Sequence, residues 1–154
     1  MADPSQIRFE QHRIYLPNAL LRADASNKVE FEFKNTYVTN SAGLHFYRDP
    51  KDSKVYIYSH LEPFFCHRFF PCFDQPSVRA PLKLSVVTPS SDWNIIANGE
   101  QTTVHKKPVR SPEAERVIRD SGFSNLVLAD GFLSDFAECP PISSYIYCLC
   151  AGAY

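Results

Sequence analysis

Residues 44–59, LHFYRDPKDSKVYIYS, decide the fold. Two runs rich in aromatic and β-branched residues, Leu44 to Tyr47 and Val55 to Ser59, flank a polar turn from Arg48 to Ser53. Such runs suit a pleated, half-buried surface. The polar stretch between them predicts a hairpin with a longer loop. Before it, residues 39–43 (TNSAG) are turn-like, and Asn18 to Leu21 opens a weak element. Val29-Glu30-Phe31-Glu32-Phe33 alternates apolar and charged residues, and Tyr37 continues it, which predicts a half-buried strand. After it, Leu82 to Val87 (LKLSVV) reads as a strand. Asn94 to Ala97 reads as another, ended by Asn98-Gly99 as a hairpin turn. Ile142 to Cys150 (ISSYIYCLC) is strand-like. Lys106 to Asp120 is charged, and reads equally as a short helix from Pro112 or an exposed loop. Gly122 to Phe136 is apolar but irregular. The predicted class is all-β, mainly antiparallel.

Composition agrees. The chain has 12 Phe and 8 Tyr against only 5 Gly, and it lacks long Ala/Leu/Glu/Lys stretches, so sheet is favoured over helix. Its 154 residues suffice for one domain with a real core. Sixteen basic and seventeen acidic residues are mixed along the chain, so no basic face points to nucleic acid or a membrane surface. No stretch is long and apolar enough to span a bilayer, and no secretory leader is visible. The five cysteines, an odd count, read as reduced thiols of a cytoplasmic protein.

Between Ser59 and Leu82, Pro63, Pro71, Pro76 and Pro81 interrupt the chain. Proline removes a backbone donor and restricts the residue before it, so no long helix fits. The segment is rich in Phe, which predicts a packed loop. Several phrases in and around it carry a resemblance. They are Gly43-Leu44-His45 with Asp49-Pro50, Tyr56 with Tyr58-Ser59, and Leu61-Glu62-Pro63. Arg68 and Phe70-Pro71-Cys72-Phe73-Asp74-Gln75-Pro76 follow, then Lys83 to Val86 with Pro89, Trp93 and Ala97-Asn98. The set closes with Ile142-Ser143, Tyr145, Tyr147 and Cys150-Ala151-Gly152. Taken in order, over about two-thirds of the chain, these phrases resemble the N-terminal β domain of aminopeptidase N-type zinc peptidases.

The resemblance implies an open, saddle-like β domain that roofs an active site. Residues 1–154 would be part of it, with no catalytic zinc domain present and that domain lying beyond Tyr154 in a complete relative. The family removes N-terminal amino acids from peptides, using zinc held by H-E-x-x-H and a later glutamate. The histidines here stand at 12, 45, 60, 67 and 105, and none begins that motif. The family's G-x-M-E-N phrase is also missing, since Met1 is the only methionine. No cofactor is therefore expected in this chain, although zinc is expected in a full-length relative. The chain alone is predicted to be inactive. No catalytic and no metal-binding residue is assigned.

One site does carry over. The family places an acidic or amide residue just before the F-P-C-F-D phrase, where it accepts hydrogen bonds from the α-ammonium of a peptide N-terminus. Glu62 occupies that position, and a carboxylate reads a chain end by a charge-assisted bond. His60 falls where relatives often carry glutamine, and could line the same pocket. On bare sequence, Glu62 beside Pro63 is a solvated loop residue.

The other candidates have plainer readings. Arg68 is expected to tie the loop to a carboxylate or carbonyl, and Asp74 to act as a turn residue bonding its own backbone. His45 is expected in a structural hydrogen bond. Cys66-His67 lacks a recognised ligand spacing. Cys148 and Cys150 would share one buried strand face. The competing function is a non-catalytic β interaction module or an inert truncated product. A cysteine-based enzyme has no supporting Cys/His arrangement.

Overall fold

The computed structural model describes residues 6–31, 33–104 and 131–154. It divides into two compact units, Met1–Glu32 and Phe33–Tyr154. Nine strands are described. They are β1 (Arg8–Glu10), β2 (Arg13–Tyr15), β3 (Gly43–Arg48), β4 (Val55–His60), β5 (Ser85–Thr88), β6 (Asn94–Ala97), β7 (Gln101–Val104), β8 (Phe132–Phe136) and β9 (Leu149–Gly152). The only helical pieces among the described residues are three-residue 3-10 turns, and every pairing between these strands is antiparallel. The all-β, antiparallel class predicted from sequence is what forms. None of the sheets closes into a barrel. No helix among the described residues is long and apolar enough to cross a membrane.

In the first unit, β1 and β2 form a hairpin in which Arg8 faces Tyr15. Its two linking residues, Gln11 and His12, both have positive φ, as a type I′ turn requires. The Arg8 guanidinium lies 5.1 Å from the Tyr15 ring centroid. The Asn27 side chain closes a polar loop by accepting from the Arg22 amide at 2.8 Å and donating to the Arg22 carbonyl at 3.0 Å.

Of the strand predicted over 29–33, the described residues 29–31 and 33 are in no strand, and Val29, Phe31 and Phe33 are exposed. Alternation gave that segment the right pattern. A strand also needs a neighbour for its backbone donors and acceptors, and no described strand pairs with this one.

The second unit holds two sheets, ordered β3-β4-β9-β6 and β5-β8-β7. The predicted 44–59 hairpin is present as β3–β4, with Leu44 opposite Ser59 and Phe46 opposite Ile57. Asp49 organises its loop. The Asp49 amide donates to the Lys54 carbonyl at 2.9 Å, while its carboxylate accepts from the Lys51 amide at 2.8 Å. Ala151 on β9 lies between Ile57 on β4 and Ile95 on β6, so a small residue separates two large ones across the ladder. Ile95, Leu149 and Ala151 meet Phe136 from the other sheet in the main core, with Leu44, Phe69, Leu84, Val86 and Trp93 packed around them. A second core joins Leu61, Cys66 and Tyr147.

Asn98-Gly99 is a turn but not a hairpin, because β6 pairs with β9 and β7 pairs with β8. The chain changes sheets there. Asn98 fixes the corner by donating to the Ile146 carbonyl at 3.2 Å and accepting from the Cys148 amide at 2.5 Å. Gly99 has φ +88°, and a Cβ there would lie 2.2 Å from the Ala137 carbonyl oxygen. Gly99→Ala therefore combines left-handed strain with a backbone clash, and is expected to cost more than about 2 kcal/mol. The urea midpoint of unfolding measures this, and an unchanged midpoint would contradict the corner as described.

The predicted 142–150 strand is shorter and later than expected. Ser144–Ile146 is a 3-10 turn and β9 begins at Leu149. Two serines account for the break. Ser143 donates to the Pro76 carbonyl at 2.7 Å and Ser144 to Asp74 Oδ1 at 3.0 Å, which commits them to the adjoining loop rather than to a ladder. The charged stretch 106–120 lies outside the described residues, as does the first part of 122–136. The end of the latter is β8.

Candidate functional site

The loop from Leu61 to Pro76 leaves the end of β4 and carries the residues singled out by sequence. Leu61 is 2% exposed and anchors its start. The Phe65 amide donates back to the Leu61 carbonyl at 2.8 Å, which folds the chain sharply after Glu62-Pro63. The 3-10 turn Cys66–Arg68 follows and is held by Phe69 N–H to Cys66 O at 2.8 Å. β3 can lie close to this turn because it starts at Gly43. A Cβ at that position would fall 2.9 Å from Arg68 Cβ, and φ there is +119°.

Beyond the turn, Phe69 and Phe70 meet edge to face with centroids 5.1 Å apart, and Phe70 stacks on Tyr147 at 5.8 Å. The Tyr147 hydroxyl donates to the Ala80 carbonyl at 3.0 Å. Burial holds the Tyr147 phenol above its ordinary value. The expected packed loop is present, with two exceptions. Phe64 and Phe73 are 56% and 82% exposed, so two aromatic rings of the loop face outward.

Glu62 is exposed and, among the described residues, makes no ion pair. Its neighbours on both sides are fixed, by burial at Leu61 and by the loop's own hydrogen bonds beyond Pro63. His60 ends β4 opposite Gly43 and is also exposed. Its Nδ1 meets the Ser41 carbonyl oxygen. A carbonyl only accepts, so Nδ1 donates to it. His45 has the structural role expected of it, with its Nδ1 accepting from the Ser41 amide at 3.3 Å.

Asp74 departs from the sequence reading. It serves distant groups rather than its own turn. Oδ2 accepts from the His67 amide at 3.1 Å and lies 2.7 Å from His67 Nδ1, while Oδ1 accepts from Ser144. It thereby ties the 3-10 turn, the FPCFD phrase and the 143–146 segment together. Arg68 also departs, since its guanidinium lies 5.0 Å from the Phe65 ring centroid. It is the Arg68 carbonyl, rather than its side chain, that enters a long-range hydrogen bond, from Asn35 Nδ2.

The loop brings together two thiols that sequence spacing did not pair. Cys66 Sγ, Cys72 Sγ and an Asp74 carboxylate oxygen lie within 4.8 Å of one another. The hydrogen bond with Cys72, and then burial, push the Cys66 thiol up, while the same bond holds Cys72 below the ordinary thiol value. Cys148 and Cys150 are half-buried rather than buried, and Cys148 precedes β9. Burial and the neighbouring Cys148 push Cys150 up to about 11.

The antiparallel sheets and this loop define a β domain of one kind. Residues 5–115 match the peptidase M1 N-terminal domain, and the chain belongs to that family. It is 27% identical, over 99% of its length, to "Probable aminopeptidase 1" of Sulfurisphaera tokodaii, covering 16% of that protein. It is likewise 27% identical, over 95% of its length, to "Aminopeptidase N" of Streptomyces lividans, covering 14% of it. Over 56% of the chain it is 37% identical to "Probable M1 family aminopeptidase 1" of Encephalitozoon cuniculi, covering 9% of it. The chain thus spans about a sixth or less of the relatives it matches. Among the described residues, one group of potential metal ligands converges, at Cys66, Cys72 and Asp74.

Proposed function

We propose that this chain is the substrate-anchoring part of a zinc aminopeptidase, and that Glu62 receives the α-ammonium group of a peptide N-terminus. The observation that carries the reading is the state of Glu62. It is an exposed carboxylate without an ion-pair partner among the described residues, set on a loop whose flanks are fixed. Among the described residues, no cation is paired with it. His60, at the end of β4 two residues before Glu62, would line the same pocket. The outward rings of Phe64 and Phe73 give the loop an apolar surface of the kind that packs against a further domain. Peptide-bond hydrolysis itself belongs to a zinc domain that these 154 residues do not supply, so no hydrolytic step is assigned to them.

The 154-residue chain, supplied with zinc, is expected not to hydrolyse an aminoacyl chromogenic substrate, whereas a longer chain carrying an H-E-x-x-H domain is expected to do so. Turnover by the short chain would refute the division of labour. An inactive longer chain would favour a non-catalytic interaction module.

A further inference from the structure

Cys66, Cys72 and Asp74 form a cluster that the anchoring role of Glu62 does not use. We propose that they bind one thiophilic divalent cation, with zinc as the natural occupant. The site is distinct from the family's hydrolytic zinc. It is built from a C-x5-C-x-D segment whose two ends are brought together by the loop's fold.

Three observations support it. The first is spacing. Tetrahedral zinc with Zn–S bonds near 2.3 Å sets its sulfur ligands about 3.8 Å apart. The three candidate atoms already lie within 4.8 Å of one another, so a small inward movement completes the set.

The second is orientation of the carboxylate. A carboxylate offers about four lone-pair positions. Three are used, by the His67 amide, His67 Nδ1 and Ser144 Oγ. Among the described residues Oδ1 receives only Ser144, which leaves the carboxylate a lone-pair position for a cation. Second-shell bonds of this kind hold metal ligands in place.

The third is surroundings. Cys66 is 0% exposed, and Leu61, Tyr147, Phe69, Phe70 and Leu82 pack with it and Cys72. Such a wall limits access of water to the ligands. As the cation binds, both thiols give up their protons to solvent and the sulfurs coordinate as thiolates. Three protein ligands leave a fourth position for water. The bound cation would bolt the 3-10 turn to the FPCFD phrase, within the same loop that carries Glu62. The site does not depend on what Glu62 binds.

The test uses the whole reduced chain after chelator treatment, titrated with cobalt(II) and then zinc. The expected result is one equivalent of cobalt with thiolate-to-cobalt charge transfer, bleached by one equivalent of zinc. X-ray absorption of the zinc-loaded wild-type chain should then show two sulfur ligands and lighter atoms completing the shell. Cys148→Ser with Cys150→Ser should leave both results unchanged. Cys72→Ser should weaken zinc by at least about tenfold. Absence of charge transfer overturns the proposal. So does a sulfur-free zinc shell, or loss of binding in the Cys148/Cys150 variant with retention in Cys72→Ser. The absorption measurement needs no substitution, so an unfolded variant would not leave the matter open.

Discussion

In a longer chain that carries the zinc domain, Glu62→Ala is expected to lower kcat/KM for free peptides by roughly 30-fold to 1,000-fold. The size follows from what is left behind. On the anchoring proposal, a bound peptide brings its ammonium out of water and the Glu62 carboxylate replaces the lost hydration with a charge-assisted bond. Without it the ammonium is desolvated and unpaired. Glu62→Gln keeps an acceptor oxygen but not the charge, so it should fall between wild type and Glu62→Ala. His60→Ala should cost less than either, because a side chain that lines the pocket contributes less than the charged partner itself. Steady-state kinetics on an unblocked peptide measure all three. A Glu62→Ala enzyme as active as wild type would end the anchoring proposal, and His60 would lose its assignment with it.

Asp74→Ala is expected to destabilise the second unit by about 4 kcal/mol, since each buried polar group left without its partner costs roughly 1–3 kcal/mol. Two such groups lose their acceptor. Ser144 is only 3% exposed, and the His67 amide is part-buried in the loop. The loss should appear as a lower urea midpoint with an unchanged slope. Asp74→Asn keeps one acceptor oxygen and should recover part of it. A midpoint shift worth under about 1 kcal/mol would mean that solvent replaces these bonds, and that the carboxylate does not hold the loop to the 143–146 segment.

The parts of the fold that could be read from sequence were those decided by neighbouring residues. Leu44 to Ser59 contains both strands of its hairpin and the Asp49 that shapes the loop, so local pattern and tertiary outcome agree. The failures have one cause, the identity of a distant partner. Residues 29–33 alternate correctly, but no described strand pairs with them. Asn98-Gly99 has the residues of a hairpin, yet its two flanking strands pair elsewhere. Within ISSYIYCLC the period suggests one strand, while Ser143 and Ser144 are drawn to Pro76 and Asp74. At the site, Glu62 and His60 were named by resemblance to a family, and residue type alone would have left Glu62 as solvated loop. The Cys66–Cys72–Asp74 cluster was not legible because its spacing matches no recognised ligand pattern. Only the 3-10 turn and the double grip of Asp74 on His67 bring its ends together.

The strand order β3-β4-β9-β6 has a consequence for how this unit is made. β9, the last strand in sequence, sits between two strands synthesised much earlier, so Ile57 and Ile95 both wait for Ala151. While the chain emerges from a ribosome, β3 and β4 can zip locally, but β4 and β6 keep bare edges until residues 149–152 are free to enter. Such edges invite pairing with other chains, and late, non-local closure is slow. Any nascent or clipped chain ending before Leu149 would therefore leave the facing edges of β4 and β6 open, in addition to the outer edges that the described sheet keeps at β3 and β6, and aggregation should rise sharply at that length.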